Sequence, residues 1–188
     1  MDKSARKLAY TASLTHLVAY VLYNSAVLSG DTRPNLVPWA IWGVMAVLNA
    51  LTYRAQTGDK VKALLSLTGS IAAVATFVVA AWMGGKFQAL TGFDQAILLA
   101  GIVAVGIWKL GSAKYANLCV LTAVAIGFIP FYRDPSGEQV LPWLLWSLAF
   151  FTGVVVVGLR PEGRKNADFI QPVIFALLHV GVLLLIVF

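Results

Sequence analysis

Charge is scarce in this chain. Only 12% of its 188 residues are Asp, Glu, Lys or Arg, and 60% are hydrophobic. A soluble domain of this size carries about twice that share of charge, so a water-exposed globular fold is excluded. Cysteine is almost absent: Cys119 is alone, which excludes an internal disulfide and leaves the redox compartment open. The only histidines are His16 and His179, and no His, Cys or carboxylate cluster has metal-ligand spacing. No metal, cofactor or catalytic set is therefore expected. The eight acidic residues, Asp2, Asp31, Asp59, Asp94, Asp134, Glu138, Glu162 and Asp168, all fall in loops or at helix ends. A carboxylate-driven proton or sodium pump needs a carboxylate inside a span, so that class is disfavoured. The last apolar run has no lysine to form a retinal Schiff base. Glycine-rich phosphate loops are missing, as is any basic run with interleaved aromatics, so nucleic acid is not expected as a partner.

What is present is apolar length. About 20 apolar residues cross a roughly 30 Å hydrocarbon layer, and most of the chain consists of such runs. The pattern predicts an all-α integral membrane protein with seven spans, near 9–29, 36–54, 62–83, 94–111, 115–132, 140–159 and 168–188. Breakers separate them: Gly30 to Pro34, Thr57-Gly58-Asp59, Gly84-Gly85-Lys86, Asp134 to Gly137 and Pro161-Glu162-Gly163. Lys3, Arg6 and Lys7 precede the first run, which is too long for a signal-peptide core and is read as a retained span. Of the 14 Lys and Arg, 11 fall on the N-terminal side: Lys3, Arg6, Lys7, Arg54, Lys60, Lys62, Lys109, Lys114, Arg160, Arg164 and Lys165. Arg33, Lys86 and Arg133 are left for the other side. This bias places the protein in a cell (inner) membrane with a cytoplasmic N-terminus and an outside C-terminus. It also assigns the net charge of +6 to loops that face the cytoplasm.

A short pattern occurs twice. Val37-Pro38-Trp39-Ala40-Ile41-Trp42 reappears as Leu141-Pro142-Trp143-Leu144-Leu145-Trp146, an offset of 104 residues. Proline is tolerated in the first turn of a helix, and tryptophans three apart share one helix face. The same offset lays span 1 on span 5, span 2 on span 6 and span 3 on span 7, and pairs Lys60 with Arg164. Span 4 is left as a linker, which restores direction so that the two copies run parallel. The expected organisation is a three-helix repeat over 1–86, a linker helix over 87–113 and a second repeat over 114–188.

This arrangement resembles the PQ-loop superfamily, which includes the SWEET sugar transporters and the bacterial nicotinamide riboside transporters. The best local match is Phe128-Ile129-Pro130-Phe131-Tyr132-Arg133, then Ser136-Gly137, then Leu141-Pro142-Trp143. The resemblance implies a helix-bending hinge at Pro130, with Pro142 opening the next helix. Phe131 replaces the signature glutamine, span 1 has no matching proline in Leu22 to Ala26, and the inferred orientation is opposite to that of plant SWEETs.

Buried polar side chains are few, and they form stripes. In span 1, Ser13, His16, Tyr20, Tyr23 and Asn24 recur at helical spacing. In the last span Gln171, Phe175 and His179 recur every four residues, while Asn49, Asn117 and Thr152 come from other spans. At 1.5 Å per residue, His16 and Asn49 lie about four residues to the cytoplasmic side of their span centres, with Tyr20 and His179 near the midplane. The expected substrate-binding set is His16, Tyr20, Asn24, Trp42, Asn49, Trp146, Thr152 and His179, with Trp42 and Trp146 closing over a solute. The plainer alternative is that Asn and His bridge helices, that Ser and Thr bond back to their own backbone, and that Trp39 and Trp143 form an interfacial belt. Gly43, Gly69, Gly101, Gly106 and Gly153 read as close-packing positions. Three functions follow from these readings. The first is a carrier of a neutral sugar- or nucleoside-like solute, with the lipid bilayer as its other partner and a homo-oligomer open. The second is a membrane scaffold or accessory subunit without a solute path. The third is an intramembrane enzyme using His16 or His179.

Overall fold

The computed structural model describes residues 3–32, 36–87, 89–133, 135, 138–160 and 165–188. The described residues are 84% helix, with no strand among them. The helices are α1 (Lys3–Ser29), α2 (Leu36–Thr57), α3 (Leu64–Trp82), α4 (Gly92–Lys109), α5 (Ala113–Gly127), the short α6 (Ile129–Arg133), α7 (Val140–Gly158) and α8 (Ile170–Val187). A 3-10 turn, Asn166–Phe169, leads into α8. Asp2, Arg33, Pro34, Asp134, Ser136, Gly137 and Pro161 to Arg164, all named above as loop signals or charges, lie outside the described residues.

Among the described residues, six segments are long and apolar enough to cross a membrane: α2, α3, α4, α5 with α6, α7, and α8 with its leading turn. The remaining long helix, α1, has 27 residues and carries most of the polar stripe. Its pattern is inverted relative to a soluble helix. Ser13, His16, Tyr20 and Tyr23 are buried, whereas Leu14 is 64% and Val21 63% exposed. An apolar outer face with polar groups inside is what a lipid surround selects.

Local chemistry explains the helix ends. Thr91 and Asp94 form a reciprocal capping box at the start of α4. Between α4 and α5 the chain reverses at Gly111, whose φ of +98° is open to glycine at little cost. The sequence reading ran span 5 through to 132, but the helix breaks after Gly127, with Phe128 as its cap. Pro130 has no N–H to continue the ladder, and α6 starts afresh around it. Pro142 behaves differently. It sits in the first turn of α7, where no N–H is required, and leaves that helix unbroken. α1 extends from the apolar run back through Ala5, Arg6 and Lys7 to Lys3, because Lys, Arg and Ala are good helix formers.

The packing is simple. α3 lies against α1 and α2, α7 against α1 and α8, and α5 against α2 and α4. Small residues allow close approach: Ala5, Ala9, Ala12 and Ala19 are buried along α1. A Cβ on Gly43 would stand 3.5 Å from Val74, on Gly101 3.1 Å from Met45 and on Gly153 3.2 Å from Leu65. Gly106 does not share this role, since it faces open space.

Candidate functional site

Six helices, α1, α2, α3, α5, α7 and α8, meet around a cavity of about 40 Å³, room for a few waters. His16 and Tyr20 enter from α1, Trp42 and Asn49 from α2, and His179 from α8. These are five of the eight residues expected from the sequence. The spacing of each set places it on one helix face, and α3 and α7 complete the wall with Ser66, Ser70 and Phe150. The lining contains no Asp, Glu, Lys or Arg.

His16 stands at the middle of α1 and is buried. Its ring lies directly over Gly69, where an added Cβ would be 2.6 Å from Cε1. Tyr20 and Phe150 meet the ring edge-on, with centroids 5.2 and 5.1 Å away. The buried Nδ1 of His16 has no protein partner. Such an atom costs free energy unless water or a ligand reaches it.

His179 is fixed more tightly. Its Nδ1 lies 2.7 Å from the Phe175 carbonyl oxygen. A carbonyl can only accept, so Nδ1 carries the proton and Nε2 of the neutral ring is left as an acceptor. Phe150 at 4.9 Å, Phe128 at 5.1 Å and Trp143 at 5.4 Å enclose the ring.

Asn49 both bridges and lines. Its Oδ1 accepts from Asn117 Nδ2 at 3.1 Å, and the same amide donates to Thr52 Oγ1 at 3.1 Å. Holding Oδ1 on α5 leaves the Asn49 amide nitrogen as the group available to the cavity.

The other three expected residues do not line the cavity. Thr152 donates back to the Leu148 carbonyl at 2.8 Å on a partly exposed face of α7. Asn24 is half-buried, with a buried, unpartnered Oδ1. Trp146 is buried behind the wall, its ring 5.1 Å from Tyr20 and 5.9 Å from His179 and its Nε1 unpartnered. The belt reading fails for Trp143, which is buried and donates through Nε1 to Glu138 Oε2 at 2.8 Å. Burial pushes the Glu138 carboxyl above the ordinary carboxylate range, against the opposing effect of that hydrogen bond.

Sequence reasoning missed Ser66 and Ser70, since serine in a membrane helix usually bonds its own backbone. Ser70 does donate to Leu67 at 2.8 Å, but Ser66 accepts from Gln171 Nε2 across the α3–α8 gap. Neither serine is paired with an imidazole, so a serine–histidine nucleophile is not assembled among the described residues. Nor do those residues include any group of three His, Cys, Asp or Glu able to hold a metal ion. The second omission was ionic. Asp168, read as a helix-end residue, is fully buried, with Lys62 Nζ at 2.8 Å from Oδ2. Burial of Lys62 could not be read from its place after a loop.

Comparison with protein-family models, curated proteins and solved structures returned no match.

Proposed function

We propose that the chain is a small multi-pass inner-membrane carrier of a neutral solute, built from two parallel three-helix repeats joined by α4. α1, about 40 Å long at 1.5 Å per residue, is the seventh crossing, and the Lys-rich end is cytoplasmic. The observation that carries this reading is the uncharged polar chamber where both halves meet, at the level of His16 and His179. Buried polar groups are costly in a membrane interior and are retained where they bind or conduct.

Reciprocal packing supports the repeat. Under the 104-residue offset, the contact of α1 with α7 corresponds to that of α5 with α2, and both are present. Trp42 of the first half lies 5.2 Å from Phe128 of the second. Its counterpart Trp146 lies 5.1 Å from Tyr20 and 6.0 Å from Tyr23 of the first. Pro130, at the break between α5 and α6, is the hinge of the second half. In this reading the resemblance to the PQ-loop superfamily extends to alternating access by rocking of the repeats.

A chamber of about 40 Å³ holds water and not a nucleoside, so opening to either side must widen it. The same small volume favours the scaffold reading, in which Asn49–Asn117 and Ser66–Gln171 merely bridge helices. Uptake decides between them. Vesicles holding the wild-type protein should accumulate a solute from a panel of sugars, nucleosides and vitamins, and His179→Ala should abolish that uptake while leaving the protein folded. Equal uptake by the variant sinks the site, and no uptake of any solute leaves the scaffold.

A further inference from the structure

The chamber has a neighbour. A second cavity of about 10 Å³, large enough for one water, shares Leu65, Ser66 and Phe150 with the first and reaches Tyr53, Lys62 and Gln171. The two lie in line from the centre of the bundle toward the Lys-rich end. Between them the Ser66–Gln171 hydrogen bond joins α3 to α8. Beyond them Lys62 and Asp168 form their buried ion pair.

Three polar ties among the described residues join α2 and the segment after it to the stretch between α7 and α8. Tyr53 donates to the Asp168 carbonyl at 2.7 Å, and Gln56 donates to the Ala167 carbonyl at 3.0 Å. Arg160 donates through Nε to Asp59 Oδ2 at 2.5 Å. Gln56 and Arg160 are 104 residues apart, so each half reaches across to the other from the same position. At the opposite end the halves meet through rings, as in Trp146 against Tyr23. Two acceptors on this route, Asp168 Oδ1 and Gln171 Oε1, are buried without a donor. A static seam would be expected to satisfy them, whereas groups that are hydrated in an open state need not be satisfied in the closed one.

We infer that this file is the solute path between the chamber and the Lys-rich end, and that Lys62–Asp168 is its gate, closed in this structure. The inference rests on the carrier reading above. The Ser66–Gln171 bond is the inner constriction of the path. Asp59–Arg160 and Gln56–Ala167 are the outer ties, and they draw the two halves together.

Cysteine accessibility tests the gate without any solute. Ser66→Cys is placed in a Cys119→Ala background, and its rate of reaction with a membrane-impermeant thiol reagent is measured in inside-out vesicles. Thr76→Cys, at a fully buried position of α3, reports whether the fold loosens. Asp168→Asn, and separately Lys62→Met, should each raise the Ser66→Cys rate at least tenfold with Thr76→Cys unchanged. An unchanged Ser66→Cys rate in both variants overturns the gate. A parallel rise at both cysteines also overturns it, because the pair then only holds the fold. A gate that opens in a protein with no uptake would count against the carrier reading alone.

Discussion

Gly69→Ala is the sharpest local test of the chamber. The added methyl would stand 2.6 Å from His16 Cε1 and 3.2 Å from Nδ1, inside van der Waals contact. The ring cannot swing aside freely, since Tyr20 and Phe150 flank it at centroid distances of 5.2 and 5.1 Å. Overpacking of this kind costs about 1–3 kcal/mol. The gain in helix propensity from Gly to Ala offsets about 1 kcal/mol. The net effect is a destabilisation of about 0–2 kcal/mol, accompanied by a displaced imidazole. Gly106→Ala is the matched control, because nothing lies within 4 Å of its new methyl. That variant should gain up to about 1 kcal/mol from propensity alone. Thermal unfolding in one detergent, at one scan rate, should place Gly69→Ala below wild type and Gly106→Ala at or above it. A Gly69→Ala protein as stable as Gly106→Ala would refute the placement of His16 over α3.

Three further predictions concern charge. The Glu138 carboxyl is raised by burial, so its contribution to stability is full below the ordinary carboxylate range and is lost as pH rises through the raised value. Glu138→Gln keeps an acceptor for the Trp143 indole and should therefore melt higher than wild type at pH 7, with the gap closing toward pH 4 in melting curves across that range. Asp59 shifts the other way. Burial alone would raise it, but the Arg160 hydrogen bond and charge and the Val61 and Lys62 backbone N–H groups hold it low. Its contribution should persist at neutral pH and fade only as pH drops below the ordinary Asp value. For the gate pair, Lys62→Met alone leaves a buried carboxylate without its cation and should cost about 3–5 kcal/mol. Lys62→Met with Asp168→Leu should recover most of that loss in denaturant titrations, since an apolar pair carries no desolvation penalty.

The membrane class and most helix positions were legible because apolar length and glycine or proline breaks are local properties. α2, α3, α4 and α7 fall close to their expected ranges, and the tight turn at Gly111 follows from the short gap it occupies. The polar stripes were legible for the same reason. His16, Tyr20 and His179 declare their faces through spacing, and three-dimensional packing brings those faces to one cavity. Thr152 illustrates the opposite outcome. It was expected to face the cavity, but its hydroxyl bonds back to Leu148, because a residue's place along a helix does not fix the angle about it. Ser66 was passed over because serine has a self-satisfying alternative and nothing in the sequence reveals that Gln171 reaches it. Lys62 and Asp168 were read as charges at helix ends because each stands at the start of an expected span. Only the folding of the 3-10 turn against α2 and the segment before α3 pairs them in the interior.

The chamber itself is tested most directly by binding. The purified protein is melted with and without each member of a panel of sugars, nucleosides and vitamins, beside Asn49→Ala and Thr152→Val. A solute that occupies the folded site raises the melting temperature in proportion to its occupancy. The account predicts at least one neutral solute that stabilises the wild type and Thr152→Val and fails to stabilise Asn49→Ala. A panel that shifts none of them, or a solute that stabilises Asn49→Ala as strongly as the wild type, would contradict it.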